Sequence, residues 1–261
     1  MIRRCAGLVV LAVAAVVHDQ PAHDRDGAGA GAGAASAYAV SRWWPLADLR
    51  LSTRDVELRP TVEADLDVLS AILPADLEQN PASYRFAFSD EQSERAAVLH
   101  QEYWHALSSW RPEEWTLPFT ARQGGEIVGQ QWLEGSDFPR LRTVDSASWL
   151  VVERRGRGFG RQLRAAVLAL AFGPLGAGHA VTSAWPDNAG SLGVSRSLGY
   201  RPNGVSALWR ADADGGQRDH LEHYRLTRAD WLAAGHAEGI TVEGAEACLP
   251  YFGLVADEAS N

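Results

Sequence analysis

Residues 143–170 read TVDSASWLVVERRGRGFGRQLRAAVLAL, and this stretch decides the fold of the chain. Its first part, residues 143–152, is rich in Val, Ser and Trp and has no helical repeat, which predicts a buried strand. From residue 161 onward, apolar side chains recur at helical spacing among alanines, which predicts a helix packed on a sheet. A glycine-rich turn flanked by arginines joins the two.

This turn, residues 155–160 (RGRGFG), has the composition of an anion-binding loop. The first N–H groups of a helix have no intrahelical acceptor, and the helix dipole adds partial positive charge there. Glycines let the backbone approach an anion closely, and arginines add charge. The turn therefore predicts a pyrophosphate held on backbone amides. A tight strand-to-helix connection with surface arginines is the alternative that these residues leave open.

Two common phosphate-binding motifs do not fit the turn. The chain contains no lysine, which excludes a P-loop, and Gly156, Gly158 and Gly160 are evenly spaced, unlike a dinucleotide fingerprint. The pattern Arg155-x-x-Gly158-x-Gly160 instead resembles the Arg/Gln-x-x-Gly-x-Gly/Ala signature of the GNAT (GCN5-related N-acetyltransferase) superfamily.

A second motif strengthens this resemblance. Residues 188–200 open with Asn-Ala-Gly-Ser and end with Leu-Gly-Tyr, similar to the superfamily's Asn-x-x-Ser…Leu-Gly-Phe/Tyr helix and turn. The resemblance covers residues 49–232 and is nearest to a branch related to ribosomal-protein N-terminal acetyltransferases, which includes a succinyl-CoA-dependent member. It implies one α+β (mixed α/β) GNAT-like domain, with helices flanking a mixed, mostly antiparallel sheet of six to seven strands.

The resemblance also implies a reaction, the direct transfer of an acyl group from a CoA thioester to an amine. It assigns the pyrophosphate to the glycine-rich turn and the thioester carbonyl to backbone N–H groups after the central strand. Asn188 is expected to bind the pantetheine arm or to fix the strand–helix splay. The predicted cofactor-binding residues are Leu150, Val151, Val152, Arg155, Gly156, Arg157, Gly158, Phe159, Gly160, Arg161 and Asn188.

The catalytic residues are less constrained. An incoming ammonium must lose a proton, and Asp145 on the central strand is the first choice of base, with Glu134 on the neighbouring strand second. A structural acceptor role for Asp145 is the alternative. For the acid, the superfamily often has a Tyr seven residues after the motif's Asn, where this chain has Ser195, and Ser191 is the alternative. Because a serine hydroxyl is a poor proton donor at neutral pH, this departure argues against Tyr-type acid catalysis and leaves CoA binding intact.

Three functions remain open at this point. We expect an N-acetyltransferase that uses acetyl-CoA and a primary amine, either a protein N-terminus or a small amine. A succinyl-CoA-dependent transferase is the first alternative, and its distal carboxylate would need a donor such as Arg122, Arg140 or Arg142. A CoA-binding sensor without turnover is the second alternative.

Composition limits the partners. A formal charge of −9 and a pI near 5.4 argue against a nucleic-acid binder, and 46% hydrophobic with 22% charged residues is typical of a globular protein. Cys5 and Cys248 provide no disulfide framework. The histidines lack paired ligand spacing, so no metal site is expected. The expected partners are an acyl-CoA and an amine acceptor, and a homodimer is left open.

The domain boundaries follow from changes in composition. Residues 1–40 are predicted to be a disordered or signal-like extension, residues 41–235 the acyltransferase domain, and residues 236–261 a C-terminal tail packing on it. The apolar run near the N-terminus is too short to span a bilayer, and no cleavage site follows it. We therefore expect a cytoplasmic protein with no stable membrane association, with export as the alternative.

The first two helices of superfamily members usually shape the acceptor side. In this chain they are predicted over residues 63–73 and 91–110. Four side chains of the second helix could therefore line an acceptor pocket, although burial tendencies favour structural roles: His100, Tyr103, Trp104 and His105.

Overall fold

The computed structural model describes residues 43–77, 86, 88, 90–210 and 216–254. The predicted N-terminal extension at residues 1–40, most of the predicted loop at residues 80–90, and the end of the chain from residue 255 lie outside the described residues.

A single sheet of nine strands runs through the described part of the chain. The strands, β1 to β9 in chain order, are Arg50–Ser52, Glu57–Pro60, Glu114–Gln123, Glu126–Ser136, Thr143–Leu150, His179–Ala184, Arg201–Arg210, Gln217–Thr227 and Thr241–Glu243. Their spatial order is β7-β8-β6-β5-β4-β3-β2-β1-β9. Within it β5 and β6 form the parallel pair, and the other neighbours are antiparallel.

The predicted fold class is confirmed, and the sheet is larger than the six to seven strands expected. One of the additional strands is β9, which the C-terminal segment supplies and which pairs with β1 at the edge of the sheet. Strand-like residues 115–122 and 126–134 around Gln123-Gly124-Gly125 predict a hairpin, and β3 and β4 form it through Gly124 and Gly125, which have φ values of 58° and 91°. Positive φ at both central residues is what a two-residue hairpin loop requires.

Six α-helices surround the sheet in the described residues. In chain order, α1 to α6, they are Glu63–Ala71, Glu91–Ser108, Phe138–Leu141, Phe159–Phe172, Ala189–Ser197 and Arg228–Ala233. Residues 135–139, Gly-Ser-Asp-Phe-Pro, predict a turn before β5, and the structure instead has the short helix α3, which begins at Phe138. Pro139 lies in its first turn, where the missing N–H costs nothing. The predicted cap of α6 is confirmed, because the Thr227 hydroxyl accepts from the Asp230 N–H at 3.0 Å.

Helix α4 lies at the centre of the domain, and every residue from Leu163 to Phe172 is buried. It belongs to the main core, together with Leu133 of β4 and Val144 of β5. A second cluster on the opposite face joins Trp132 and Trp149 to leucines of α1 and α2. Because side chains alternate along a strand, the sheet separates α4 from the α1–α2 pair.

The C-terminal segment packs against the other end of the core. Phe252 is fully buried, with its ring centroid 4.7 Å from that of Trp115. The Trp110 indole N–H donates to the Tyr251 carbonyl at 2.9 Å. Among the described residues, none of the helices combines the length and apolar character needed to cross a bilayer.

Candidate active site

The centre of the site is a gap between β5 and β6. The two strands pair only over Thr143–Asp145 and His179–Val181. Beyond this point β5 follows β4 as far as Leu150, whereas β6 follows β8 as far as Ala184. The strands therefore diverge and leave a wedge, lined by residues 146–150 of β5 and 182–184 of β6. Asp145 occupies the last paired position, at the apex of this wedge.

The glycine-rich loop lies at the start of α4, which follows β5 after one short 3-10 turn. Gly156 and Gly158 have φ values of 70° and 82°, and a Cβ atom at either position would meet no other atom within 4 Å. The first helical bond runs from the Gln162 N–H to the Gly158 carbonyl at 3.2 Å. The N–H groups of Phe159, Gly160 and Arg161 precede that bond, in front of an open surface. These residues fit an anionic diphosphate.

Two arginines of the loop differ in their surroundings. Arg155 forms a bidentate pair with Asp76 at 2.6 and 2.9 Å, and its Nε donates to the Leu150 carbonyl at 3.1 Å. The carboxylate of Asp76 holds the pKa of Arg155 above its usual value. Arg161 is exposed, and its Nη2 lies 3.2 Å from Nδ1 of His236. The guanidinium of Arg155 therefore fixes the loop to the segment after α1, a contact the sequence did not predict.

The predicted amide groups after β5 are not equivalent. The Val151 N–H already donates to the Val128 carbonyl at 3.0 Å. Val152 begins the short 3-10 turn and is exposed, whereas Leu150 is buried and ends the strand. The N–H groups of Leu150 and Val152 thus remain as candidates for hydrogen bonds to the cofactor.

Helix α5 closes the other side of the wedge. Asn188 caps it, because its Oδ1 accepts from the Ser191 N–H at 2.9 Å. Val194 faces α4, and its methyl group would lie 3.5 Å from a Cβ atom placed on Gly160. A glycine at position 160 therefore allows α4 and α5 to approach closely at the mouth of the wedge.

Two carboxylates face each other at the apex. Asp145 of β5 pairs directly with Glu134 of β4, so both side chains lie on the face that α1 and α2 cover. Desolvation raises the pKa of Glu134 to about 7, and the negative charges of Asp145 and Glu102 add to the effect. Desolvation also raises the pKa of Asp145 to about 6. Two effects oppose this rise: the Ser146 N–H donates to Oδ1 of Asp145 at 2.6 Å, and the positive charge of Arg164 favours the ionised carboxylate.

On the α4 side of the apex lies a group of buried polar side chains. Arg164 donates from Nη1 to the Ser195 hydroxyl at 2.7 Å, and that hydroxyl donates to the Ser191 carbonyl at 2.9 Å. Burial lowers the pKa of Arg164, while Tyr200 and Asp145 act in the opposite direction. Ser195 was a candidate acid, but its proton is committed to a backbone carbonyl. Ser191, the alternative, is partly exposed at the start of α5.

A family model described as the acetyltransferase (GNAT) domain matches residues 55–201. The chain belongs to the GNAT acetyltransferase family. The resemblance noted in the sequence is thereby confirmed, and it makes the chain an N-acetyltransferase by family. GNAT acetyltransferases use an acyl-CoA thioester as donor, which agrees with the open loop at the start of α4.

Solved structures share the fold at low sequence identity. Mycobacterium smegmatis RimJ in complex with CoA-disulfide is 24% identical, with 74% of this chain and 97% of that chain covered and a TM-score of 0.57. A mutant spermidine N-acetyltransferase from Vibrio cholerae is 14% identical, covering 69% and 98%, with a TM-score of 0.53. The ribosomal-protein-S5-alanine acetyltransferase from Vibrio fischeri is 14% identical, covering 70% and 98%, with a TM-score of 0.52.

The two helices expected to form the acceptor side, α1 and α2, cover the face of the sheet that carries the carboxylate pair. Tyr103 is buried there, and burial raises its pKa, with Glu63 and Asp65 adding to the effect. Trp104 is 51% exposed, and its ring centroid lies 5.6 Å from that of His100. These two rings form an exposed aromatic pair on α2, and Glu102 of the same helix acts on the carboxylate pair.

Arg164 is a buried polar residue beside the apex that the sequence motifs do not single out. Its signal was present, because it is the one charged residue in the run 163–172, which is otherwise Leu, Ala, Val and Phe. A charged residue inside a fully apolar helix segment indicates a buried partner or ligand. Among the described residues, no cluster of His, Cys, Asp and Glu could hold a metal ion.

Proposed function

We propose that this GNAT domain transfers an acetyl group from acetyl-CoA to a primary amine, either a protein N-terminus or a small amine, by direct attack. The observation that carries this proposal is the pair of facing carboxylates, Glu134 and Asp145, at the apex of the wedge. Their raised pKa values place the pair's two ionisations at about 6 and about 7, so that near pH 7 it is anionic and can still accept a proton. An ammonium ion is the complementary partner.

The binding half of the reaction is assigned to the loop and the wedge. When bound, CoA supplies an activated acyl group as a thioester. The N–H groups at the start of α4 hold its diphosphate, with Arg157 and Arg161 exposed beside them. The N–H groups at the end of β5 are assigned to the pantetheine arm, because Leu150 lies five residues, about 16 Å of extended strand, from Asp145 at the apex. Asn188 orients the first turn of α5 along the wedge through its cap.

The chemical half is assigned to the carboxylate pair. Asp145 accepts the proton of the incoming ammonium, and Glu134 beside it helps to attract the cation and to keep the pKa of the pair near neutral. The Ser146 N–H fixes the Asp145 carboxylate in place. The base therefore lies at the position where the two strands begin to diverge, and direct attack requires the thioester carbon to reach this apex.

The three arginines considered for a succinyl carboxylate are engaged elsewhere, so they do not support the succinyl alternative. Arg122 pairs with Asp65, and Arg140 pairs with Asp137 at 3.0 Å. Arg142 donates to the carbonyl groups of Leu175 and Pro139. An unpaired carboxylate buried at the acyl end would be strongly disfavoured.

One competition experiment tests the function and its alternatives together. The protein is incubated with acetyl-CoA and succinyl-CoA at equal concentrations and a panel of amines: peptides with free N-termini, a polyamine and an aminoglycoside. We expect amine-dependent release of thiol, with acetylated product in excess by about tenfold or more. Mass spectrometry of the products provides the readout. A succinylated product in excess would replace the donor, and CoA binding without amine-dependent thiol release would favour a sensor.

A further inference from the structure

Arg164 is buried without a carboxylate partner. Its residue is 3% exposed, no ion pair within 4.0 Å involves it among the described residues, and its Nε has no hydrogen-bond partner. Its contact with Ser195 is to a neutral hydroxyl. A guanidinium remains charged in proteins, and burying that charge without a counter-ion is costly. Asp145 acts on this guanidinium without contacting it, so the arrangement leaves a place for a further anion in contact with Arg164.

The surroundings place this charge at the apex of the wedge. Ser146 is the first residue of β5 beyond the paired segment, and its carbonyl accepts from the Thr182 hydroxyl of β6 at 3.5 Å. The hydroxyls of Ser146 and Tyr200 lie close together and form no hydrogen bond of normal geometry, although both residues are at least 95% buried. Arg164 acts electrostatically on both Asp145 and Tyr200. The Ser146 and Tyr200 hydroxyls and the Arg164 guanidinium, all incompletely hydrogen-bonded, thus lie close together at the apex.

The same group offers no proton donor for a leaving thiolate. The Ser195 hydroxyl donates to the Ser191 carbonyl and accepts from Arg164, so its proton is already used. Burial raises the pKa of Tyr200, which makes its phenol a weaker acid. A thioester cleaved at this apex would therefore need stabilisation of negative charge rather than immediate protonation.

We propose that Arg164 supplies a fixed positive charge that stabilises the thiolate of CoA as it leaves, replacing the tyrosine acid that this chain lacks at position 195. The inference rests on the proposed function. The amine nitrogen bonds to the carbonyl carbon, the C–S bond breaks, and its electron pair passes to sulfur. The ammonium proton passes to the carboxylate pair, and the thiolate takes a proton from solvent on release. Arg164 acts through its charge, and Ser195 is a positioning residue that orients the guanidinium.

The test is the pKa of the CoA thiol when bound, followed by the ultraviolet absorbance of the thiolate. A free thiol of this kind titrates near pH 8.5. In the wild-type complex we expect the thiol pKa to fall by about one unit or more, with little change from the free value in Arg164→Gln and a partial fall in Arg164→Lys. Arg140→Gln, a change at a guanidinium that is 79% exposed, is the matched control and should behave as wild type.

Desulfo-CoA, which lacks the thiol, separates the titration of the thiol from that of the charged groups around the apex. Asp145 and Glu134, with pKa values of about 6 and about 7, titrate below the free thiol, and Tyr200 titrates above it. The affinity of wild type for CoA relative to desulfo-CoA should therefore rise about tenfold between a pH below the bound thiol pKa and a pH well above the free thiol pKa. This comparison needs no variant, so it holds if Arg164→Gln fails to fold.

Two outcomes would overturn the inference, and they can be told apart. If CoA binds but its thiol pKa is unchanged from the free value, or is the same in wild type and folded Arg164→Gln, Arg164 has no such role and the proposed function stands. If CoA does not bind wild type, the proposed function fails together with this inference.

Discussion

Replacing Asp145 by Asn is expected to lower kcat by about 100-fold or more, because a positioned general base typically contributes at least that factor. Asn keeps an oxygen that can accept from the Ser146 N–H, so the strand geometry at the apex should be preserved. It cannot take a proton from an ammonium. Steady-state kinetics with acetyl-CoA and the best acceptor amine provide the measurement, and calorimetry should show an unchanged Kd for acetyl-CoA.

The control is Glu114→Gln, which removes a carboxylate at the exposed start of β3. This carboxylate forms an ion pair with Arg111. This variant should keep wild-type kcat. If Asp145→Asn retains full activity in a folded protein, Asp145 is a structural acceptor, and the proton must be taken by Glu134 or by water.

Gly158→Asp is expected to reduce the affinity for CoA at least tenfold, about 1.4 kcal/mol. Gly158 caps α4 with a φ of 82°, and a side chain there would point into the open space in front of the helix. An aspartate would place a negative charge where the diphosphate is assigned. Calorimetric titration with CoA measures the effect.

Two further variants separate the charge from the cost of the backbone conformation. Gly158→Ala carries the conformational cost without the charge, so it should lose much less affinity than Gly158→Asp. Gly125→Asp introduces both the conformational cost and the negative charge at the β3–β4 turn, where φ is 91° and the space is also open. It should bind CoA as wild type does. Equal losses in Gly158→Ala and Gly158→Asp would remove the diphosphate from this loop.

Local features of the site could be predicted from the sequence, because each depends on residues close together in the chain. The glycine-rich turn and the start of α4 follow from the spacing of Gly156, Gly158 and Gly160 and the helical repeat behind them. The caps at Asn188 and Thr227 follow from the residue types at helix starts. The carboxylate base was also proposed from its place on the central strand.

Features that depend on register and long-range packing could not be predicted. The direct pairing of Glu134 with Asp145 requires the strand register, which the sequence does not state. The point where β5 and β6 separate depends on their different outer neighbours, β4 and β8. The pair between Arg155 and Asp76 joins residues far apart in the chain, so the arginine was expected to face only the diphosphate.

The strand count differs from the prediction for a similar reason. A short strand can be predicted within residues 239–254, but its pairing with β1 at the edge of the sheet cannot, because a three-residue strand carries no signal of its partner. The apolar repeat around Arg164 predicts a helix, but it does not indicate which side chains of that helix face the wedge.

The pH dependence of kcat in wild type and Glu134→Gln tests most directly the claim that the carboxylates at the wedge apex accept the proton of the amine. A base must be ionised to act, so kcat of wild type should rise with pH through apparent pKa values of about 6 and about 7. Glu134→Gln should retain activity with a single rise near pH 6, because Asp145 remains. Ionisation of the acceptor amine affects both proteins equally. A wild-type kcat that is flat from about pH 5 to 8 would contradict the account, since no group with these raised pKa values would then be acting as the base.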